Sequence, residues 1–353
     1  MIPSIEEIVA RAHELGASDI HLVCGIPVKM RVNGKLVSSG LYGDRPLSHD
    51  DCEELAFQLA GQSYDSMKSI GELDLARDFA GVRVRVNVFR QQGHASAALR
   101  LLSDQIPPLE GLGLPPAVLD FPRIQRGLVV VTGETGSGKS TTMAALLNQI
   151  NQTRAENIIT IEDPIEYVHT PANSVVSQRE IGRDTASYQD ALRAALREDP
   201  DVLLIGEMRD LETIQAALTA AETGHFVLGT LHTKSAAESI DRMVEVFPEG
   251  QQRQVRLQLS TTLVAVLSQQ LLPKRDGSGR VLAAELMMVT PAIRNLIREA
   301  KTPQIASSLA TSANVGSISM DNALINLNKQ RLISADAAIE ACIDPEYVKR
   351  NVR

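Results

Sequence analysis

One stretch limits what this chain can fold into more than any other: Gly133-Glu134-Thr135-Gly136-Ser137-Gly138-Lys139-Ser140. An apolar run, Leu128-Val129-Val130-Val131, precedes it, and Thr141-Thr142-Met143-Ala144-Ala145-Leu146-Leu147 follows. The order reads strand, glycine loop, helix, the context in which G-x-x-x-x-G-K-[ST] cradles phosphates. Glycines let the backbone curl so that its N–H groups face an anion. The helix behind them aims the positive end of its dipole at the same point. Residues Gly133, Glu134, Thr135, Gly136, Ser137, Gly138, Lys139, Ser140 and Thr141 are therefore expected to hold a nucleotide. Lys139 would reach the β- and γ-phosphates, and the Ser140 hydroxyl would ligate Mg²⁺.

From about Ile124 strands alternate with helices, which predicts a parallel sheet covered on both faces. The strand Asn157-Ile158-Ile159-Thr160-Ile161 ends in Glu162-Asp163-Pro164-Ile165-Glu166-Tyr167. Ligands of such sheets sit at the carboxyl ends of the strands, so Glu162 is the first candidate to activate water and Glu166 the second. A helix is predicted over 185–197. Then Asp201-Val202-Leu203-Leu204-Ile205-Gly206-Glu207 gives an apolar strand ending in an acid. Downstream of a full phosphate loop, Glu207 is expected to hold Mg²⁺ directly or through water. A helix over 210–223 stops at Gly224. The next strand, His225 to His232, has a histidine at each end. His232, at the carboxyl end, either senses the γ-phosphate or hydrogen-bonds within the sheet. Ser235-Ala236-Ala237-Glu238 is a capping box for the helix through Met243. A strand over 281–288 is followed by a largely helical tail with an amphipathic stretch at 291–299.

The residues before this region read as a small sheet with helices packed on it. Ser4 caps a first helix whose Ile5, Ile8, Val9 and Ala12 share a face, and Gly16 ends it. Strands are expected over 19–24 and 28–32, with a hairpin turn at Asn33-Gly34. A helix over 50–59 and a strand pair over 73–79 and 82–89 complete it. In Val82-Arg83-Val84-Arg85-Val86-Asn87 the valines alternate with polar residues, which puts Arg83, Arg85 and Asn87 on one face. That face is either plainly solvated or presented to a phosphate held by a neighbouring subunit, with Arg100 adding to it. The run Ile106-Pro107-Pro108-Leu109-Glu110-Gly111-Leu112-Gly113-Leu114-Pro115-Pro116 is too rich in proline and glycine for a helix or central strand, and predicts an interdomain linker. The expected division is a first domain over 1–103, a linker over 104–123, a nucleotide core over 124–290 and a helical region over 291–353.

Composition closes several alternatives. The net charge of −8, the absence of Trp and an aromatic content of 3% weigh against nucleic-acid binding. Three cysteines with no C-x-x-C pair argue against a zinc site and for free thiols in a reducing compartment. No apolar run approaches the roughly 20 residues of a membrane span, and Met1-Ile2-Pro3-Ser4-Ile5-Glu6-Glu7 lacks signal-peptide regions. A cytoplasmic protein that meets the membrane only through a partner is the expectation.

Taken together, the motifs resemble the secretion and type IV pilus motor ATPases, over nearly the whole chain. The resemblance is carried by the glycine loop, by Glu162-Asp163-Pro164-Ile165-Glu166-Tyr167 (an Asp box), by Leu196-Arg197-Glu198-Asp199-Pro200-Asp201 with Gly206-Glu207-Met208-Arg209-Asp210 (a Walker B region), and by Ala221-Glu222-Thr223-Gly224-His225 through Thr230-Leu231-His232-Thr233 (a His box). Within the family the chain is similar to the twitching-motility retraction type. It is short, lacks a tetracysteine insert, and contains Ala292-Ile293-Arg294-Asn295-Leu296-Ile297-Arg298-Glu299. Cys24 and residues 44–51 match no motif.

The resemblance implies an α/β fold with a PAS-like amino-terminal domain, a RecA-like core and a helical carboxyl-terminal extension. It implies a homohexamer that hydrolyses ATP·Mg²⁺ to drive pilus retraction, at the cytoplasmic side of an inner-membrane platform protein. ATP would lie between the two domains. Arg83, Arg85 and Arg100 become expected phosphate contacts, in cis or in trans, and His225 and His232 become expected site residues. A pilus-extension or type II secretion ATPase is the nearest alternative. A nucleic-acid translocase and a non-hydrolysing switch are more distant ones, the latter disfavoured by the intact Lys139 and Glu207.

Overall fold

The computed structural model describes residues 4–32, 34–102, 105–310 and 312–352. Asn33 of the expected hairpin turn and Ser103 at the expected domain boundary lie outside the described residues. The chain separates into two units. The first comprises the residues up to Gln105 together with Pro164–Val168, and the second the remainder.

In the first unit, α1 (Ile5–Glu14) begins at a capping box formed by Ser4 and Glu7. β1 (Ala17–Leu22), β2 (Lys29–Val32) and β3 (Lys35–Ser38) follow, then α2 (His49–Ala60), α3 (Tyr64–Ile70), β4 (Glu72–Phe79), β5 (Val82–Gln91) and β6 (His94–Leu101). The strands pair antiparallel in the order β3-β2-β1-β6-β5-β4. Val82, Val84, Val86 and Val88 face a core made with Ile8 and Val9 of α1, Leu55 and Leu59 of α2 and Met67 of α3. The alternation seen in the sequence therefore sets the inner face of β5. Strand β3 is the return strand that the expected hairpin turn implies, whereas strand β6 and helix α3 were not anticipated.

The second unit holds a seven-stranded sheet. Its elements are β7 (Gly127–Thr132), α4 (Lys139–Thr153), β8 (Asn157–Glu162), β9 (Val175–Glu180), α5 (Tyr188–Ala195), β10 (Val202–Ile205), α6 (Leu211–Glu222), β11 (Phe226–Leu231), α7 (Ala236–Glu245), α8 (Glu249–Thr262), β12 (Leu263–Pro273) and β13 (Arg280–Met288). Then come α9 (Pro291–Arg298), α10 (Ile305–Ala310), α11 (Met320–Lys329), α12 (Ala335–Ala341) and α13 (Pro345–Asn351). The order is β13-β12-β7-β11-β10-β8-β9, parallel throughout except for the β12–β13 hairpin. Alternate residues feed two cores, as a sheet buried on both faces requires. Leu128, Val130, Ile159, Leu203 and Val227 pack against α5 to α10. Val129, Val131, Ile158, Leu204 and Phe226 pack against α4.

Three differences from the sequence expectation have physical causes. Strand β12 was not anticipated, and neither was α8 before it. The continuous apolar run Leu263–Leu267 follows that helix with no Gly or Pro between them, and periodicity cannot tell such a run from buried helix. Residues 106–123, read as a linker, lie in the second unit as two 3₁₀ segments, Leu109–Leu112 and Pro116–Arg123. Their Leu109, Val118 and Phe121 belong to the core that α4 closes. The helix-type spacing over 326–353 resolves into the end of α11 plus two separate helices, capped at Ser334 and Asp344. Helices α11 to α13 pack on the hairpin through Ala283, Leu324, Ile333, Ala338 and Val348. The mixed α/β class expected from the sequence is present. Among the described residues, no helix is long and apolar enough to cross a membrane.

Candidate active site

The glycine loop leaves the carboxyl end of β7 and turns into α4, as the sequence predicts. Gly133 needs its missing side chain: φ is 143°, and a β-carbon there would run into the Gln269 carbonyl oxygen and lie 2.6 Å from the Ser137 hydroxyl. Lys139 is 9% exposed, and its ammonium donates to the carbonyl oxygens of Gly133 at 2.7 Å and Glu134 at 3.1 Å. The lysine is thus held against the loop from the first turn of α4. Ser140 is exposed at the helix start, while Thr142 is buried and accepts from Gln269 Nε2 at 2.8 Å. Lys234 pairs with Glu134 on the open side at 3.4 Å.

The strand order decides which groups approach this loop. β11 lies directly beside β7, and β10 lies beyond it. Thr233, just past β11, is tied to the end of β7: Thr233 N–H donates to Thr132 Oγ1 at 2.8 Å, and the two hydroxyls are 2.7 Å apart. His232 therefore emerges next to the glycine loop. Glu207 follows the end of β10, and its backbone is pinned on both sides. Gly206 N–H donates to Ile161 O at 2.8 Å, Met208 N–H donates to Thr230 O at 2.9 Å, and the Thr230 hydroxyl donates to Gly206 O. A β-carbon on Gly206 would lie 3.0 Å from both Ile161 O and the Tyr188 hydroxyl, so glycine permits this close crossing.

The Glu207 carboxylate meets Arg209 and His232 through one oxygen. Oε1 is 2.5 Å from Arg209 Nε and 3.3 Å from His232 Nε2. Burial pushes this carboxyl up, but the Arg209 hydrogen bond and the His232 charge outweigh it and hold the group below the usual carboxylate range. Its other oxygen has no hydrogen-bond or ion-pair partner among the described residues. Glu162, at the end of β8, accepts from Thr160 Oγ1 at 2.6 Å and Gln178 Nε2 at 3.1 Å. Three strand spacings separate β8 from β7, about 14 Å. Burial pushes the Tyr188 phenol up, and the nearby Asp163, Glu207 and Glu162 carboxylates push it further, so these acids share one neighbourhood.

The remaining expected residues lie elsewhere. His225 sits at the amino end of β11, where its carbonyl accepts from Gly127 N–H at 3.0 Å. Its Nδ1 is 2.9 Å from Ala220 O and 3.0 Å from Thr223 Oγ1, at the end of α6. Within this chain it is across the sheet from the loop. Glu166 belongs to Pro164–Val168, which groups with the first unit. In that unit Arg83 is 8% exposed; it pairs with Asp78 at 3.0 Å and donates to Ile165 O at 3.4 Å. Its side of β5 is therefore not a plain solvated face at this position. Arg85 is exposed and is the direct cross-strand neighbour of Arg100, which pairs with Asp19 at 3.0 Å.

The sequence profile of the type II/IV secretion system protein family matches residues 71–327. The chain belongs to this family. It is 46% identical over 344 residues, 97% of its length, to the type IV pilus retraction ATPase PilT of Pseudomonas aeruginosa, covering 99% of that protein. It is 47% identical over 291 residues to a twitching motility protein of Neisseria gonorrhoeae, 81% of this chain and 78% of that one. A crystal structure of the pilus retraction motor PilT with bound ADP superposes with a TM-score of 0.92 at 48% identity, covering 99% of this chain and all of that one. The chain is a nucleotide-binding P-loop ATPase with the fold of that retraction motor.

Several residues at this site carry no signal that motif reading would catch. Gln269 lies on the unanticipated strand β12, and Arg280, whose Nη1 lies 3.4 Å from Gly136 O, is the first residue of β13, just before the strand expected over 281–288. Arg209 stood inside a recognised motif without a role, although its spacing from Glu207 places opposite charges side by side.

Proposed function

We propose that this chain is a homohexameric motor that hydrolyses ATP·Mg²⁺ to drive type IV pilus retraction. The observation that carries the reading is the joint placement of Lys139, His232 and Glu207 at one strand edge, in a chain matching a retraction motor along its whole length. The glycine-loop N–H groups and Lys139 bind the phosphates. A bound Mg²⁺ would neutralise charge on the β- and γ-phosphates. The donors fit a hard cation: Ser140 offers an exposed hydroxyl, and Glu207 keeps one carboxylate oxygen outside its ion pairs.

Glu162 or Glu166 accepts the proton of the attacking water, and His232 contacts the γ-phosphate while touching Glu207. Arg83 fixes the backbone of the segment that carries Glu166. Arg85 and Arg100 reach a nucleotide held by a neighbouring copy in the ring and neutralise developing charge. His225 lies at the opposite end of β11 from its own chain's loop and serves the site of a neighbouring copy. Loss of phosphate relaxes the arginine contacts and turns chemical change into rigid-body motion. The ring works on the cytoplasmic side of an inner-membrane platform protein of the pilus machinery, without binding nucleic acid.

The test is steady-state ATP hydrolysis by the purified protein beside Lys139→Ala and Glu207→Ala, with oligomer mass measured on the same samples. Turnover confined to the hexamer and lost in both variants supports the motor. A hexamer that binds ATP and never turns over, with or without the platform protein, overturns it.

A further inference from the structure

β12 continues where β7 stops. Thr132, the last residue of β7, pairs with Ser268. The next residues of β12 pair with β13, from Gln269 opposite Ala284 to Pro273 opposite Arg280. This part of the hairpin therefore runs beside the glycine loop rather than beside β7. At the far end a β-carbon on Gly138 would lie 3.7 Å from Leu271 Cδ1.

Gln269 is the centre of this contact. It is 1% exposed. Its backbone carbonyl fills the space that a side chain on Gly133 would need, and its Nε2 donates to Thr142 Oγ1 in the first turn of α4. Its Oε1 is buried with no hydrogen-bond partner, and the same holds for the Ser137 hydroxyl inside the loop. A buried amide costs free energy unless paired, so an apolar residue would serve a purely structural strand better.

We propose that Gln269 is a positioning residue of the nucleotide site. Its carbonyl packs against Gly133 at the start of the glycine loop, and its side-chain amide ties the strand to α4 beyond the loop's end. The loop's N–H groups then converge on the phosphates before the nucleotide arrives. Small displacements of such a cradle weaken binding strongly. The proposal rests on the nucleotide-site reading, but not on hydrolysis.

The experiment is equilibrium binding of a fluorescent ADP analogue to the full chain, with melting temperature and steady-state hydrolysis read alongside. The variants are Gln269→Ala, Thr142→Val, the pair together, and Leu286→Val as a buried control on β13. Gln269→Ala and Thr142→Val are each expected to weaken ADP about ten-fold, with the double variant no worse than the stronger single one. Leu286→Val should lower the melting temperature and leave ADP affinity unchanged. ADP affinity within about two-fold of wild type in Gln269→Ala, or an equal loss in Leu286→Val, overturns the proposal. If Gln269→Ala does not fold, Thr142→Val decides alone, because it removes the acceptor and keeps the volume. A wild type that binds ADP without turnover removes the motor and leaves the affinities to judge Gln269.

Discussion

Arg209 and Glu207 meet at 2.5 Å just beyond the end of β10, guanidinium Nε to carboxylate Oε1. The arginine is largely exposed, and the glutamate is shielded to 19% side-chain exposure. A surface cation thus holds an inner carboxylate ionised and aimed. His232 reaches the same oxygen from the next strand edge. The arrangement couples the residue expected to hold Mg²⁺ to the strand beside the glycine loop.

Arg209→Gln should therefore lower turnover without unfolding the protein. The carboxylate loses its strongest partner and swings under the weaker hold of His232. A ten- to hundred-fold fall in kcat, roughly what misplacing a catalytic group costs, is expected at saturating ATP. Because the arginine is exposed, the melting temperature should stay close to wild type. Arg209→Lys should restore only part of the rate, since an ammonium does not reproduce the guanidinium geometry. Equal rates in wild type and Arg209→Gln would show that the contact is incidental.

Glu285 on β13 makes a stability prediction. It is 3% exposed, and its two oxygens accept from Ala236 N–H at 2.8 Å and Met320 N–H at 3.3 Å, the first residues of α7 and α11. Glu285→Gln turns one acceptor into a donor facing an N–H, so about 1–3 kcal/mol should be lost. Burial raises this carboxyl above its ordinary value despite the two hydrogen bonds. The folded state then binds the proton more tightly than the unfolded one. Its contribution is full below the ordinary glutamate range and declines as pH rises through the folded value. The wild-type melting temperature minus that of Glu285→Gln should therefore grow as pH falls from about 8 to about 5. A gap independent of pH would contradict this.

The parts of the site that the sequence disclosed are those whose chemistry is contiguous. The glycine loop must bring its residues together through one turn of backbone, so spacing alone placed Lys139 and Ser140. The strand-end positions of Glu207 and Glu162 were legible because each closes an apolar run downstream of such a loop, in a sheet whose ligand edge is the carboxyl end. Gln269 was not, because the hairpin that carries it follows α8 without a breaker and gives no periodic signal. His232 was legible as the carboxyl-end histidine of its strand, the ligand edge of a parallel sheet, whereas His225 was expected at the site only through the family resemblance. The parallel pairing of β11 with β7 puts the first beside the loop and the second across the sheet. In residues 106–123 composition reported turns and overlooked the spaced apolar residues that the turns bury.

Those residues give a third prediction. Phe121 is 1% exposed and packs in the core closed by α4. A flexible linker would tolerate its truncation. As a core residue, Phe121→Ala should cost about 3–5 kcal/mol. Thermal or urea unfolding of the second unit reads this directly. A loss below about 1 kcal/mol, the range of an exposed substitution, would return the segment to the status of a tether.

The last prediction concerns Arg85 and Arg100, which face each other across β5 and β6. Both are exposed, at 65% for the Arg100 side chain, so alanine at either position should leave melting nearly unchanged. If they serve a neighbour's nucleotide, the double variant Arg85→Ala/Arg100→Ala should form a hexamer and lose hydrolysis by about 10³-fold or more, as removal of an arginine finger does. Lys139→Ala should be inactive for a different reason, an impaired phosphate loop in its own chain. Mixed rings separate the two causes. Where a double-variant subunit meets a Lys139→Ala subunit, an intact loop can face intact arginines, and activity should return in the mixture. Arginines acting only within their own chain would give no recovery, because no subunit in the mixture carries both halves.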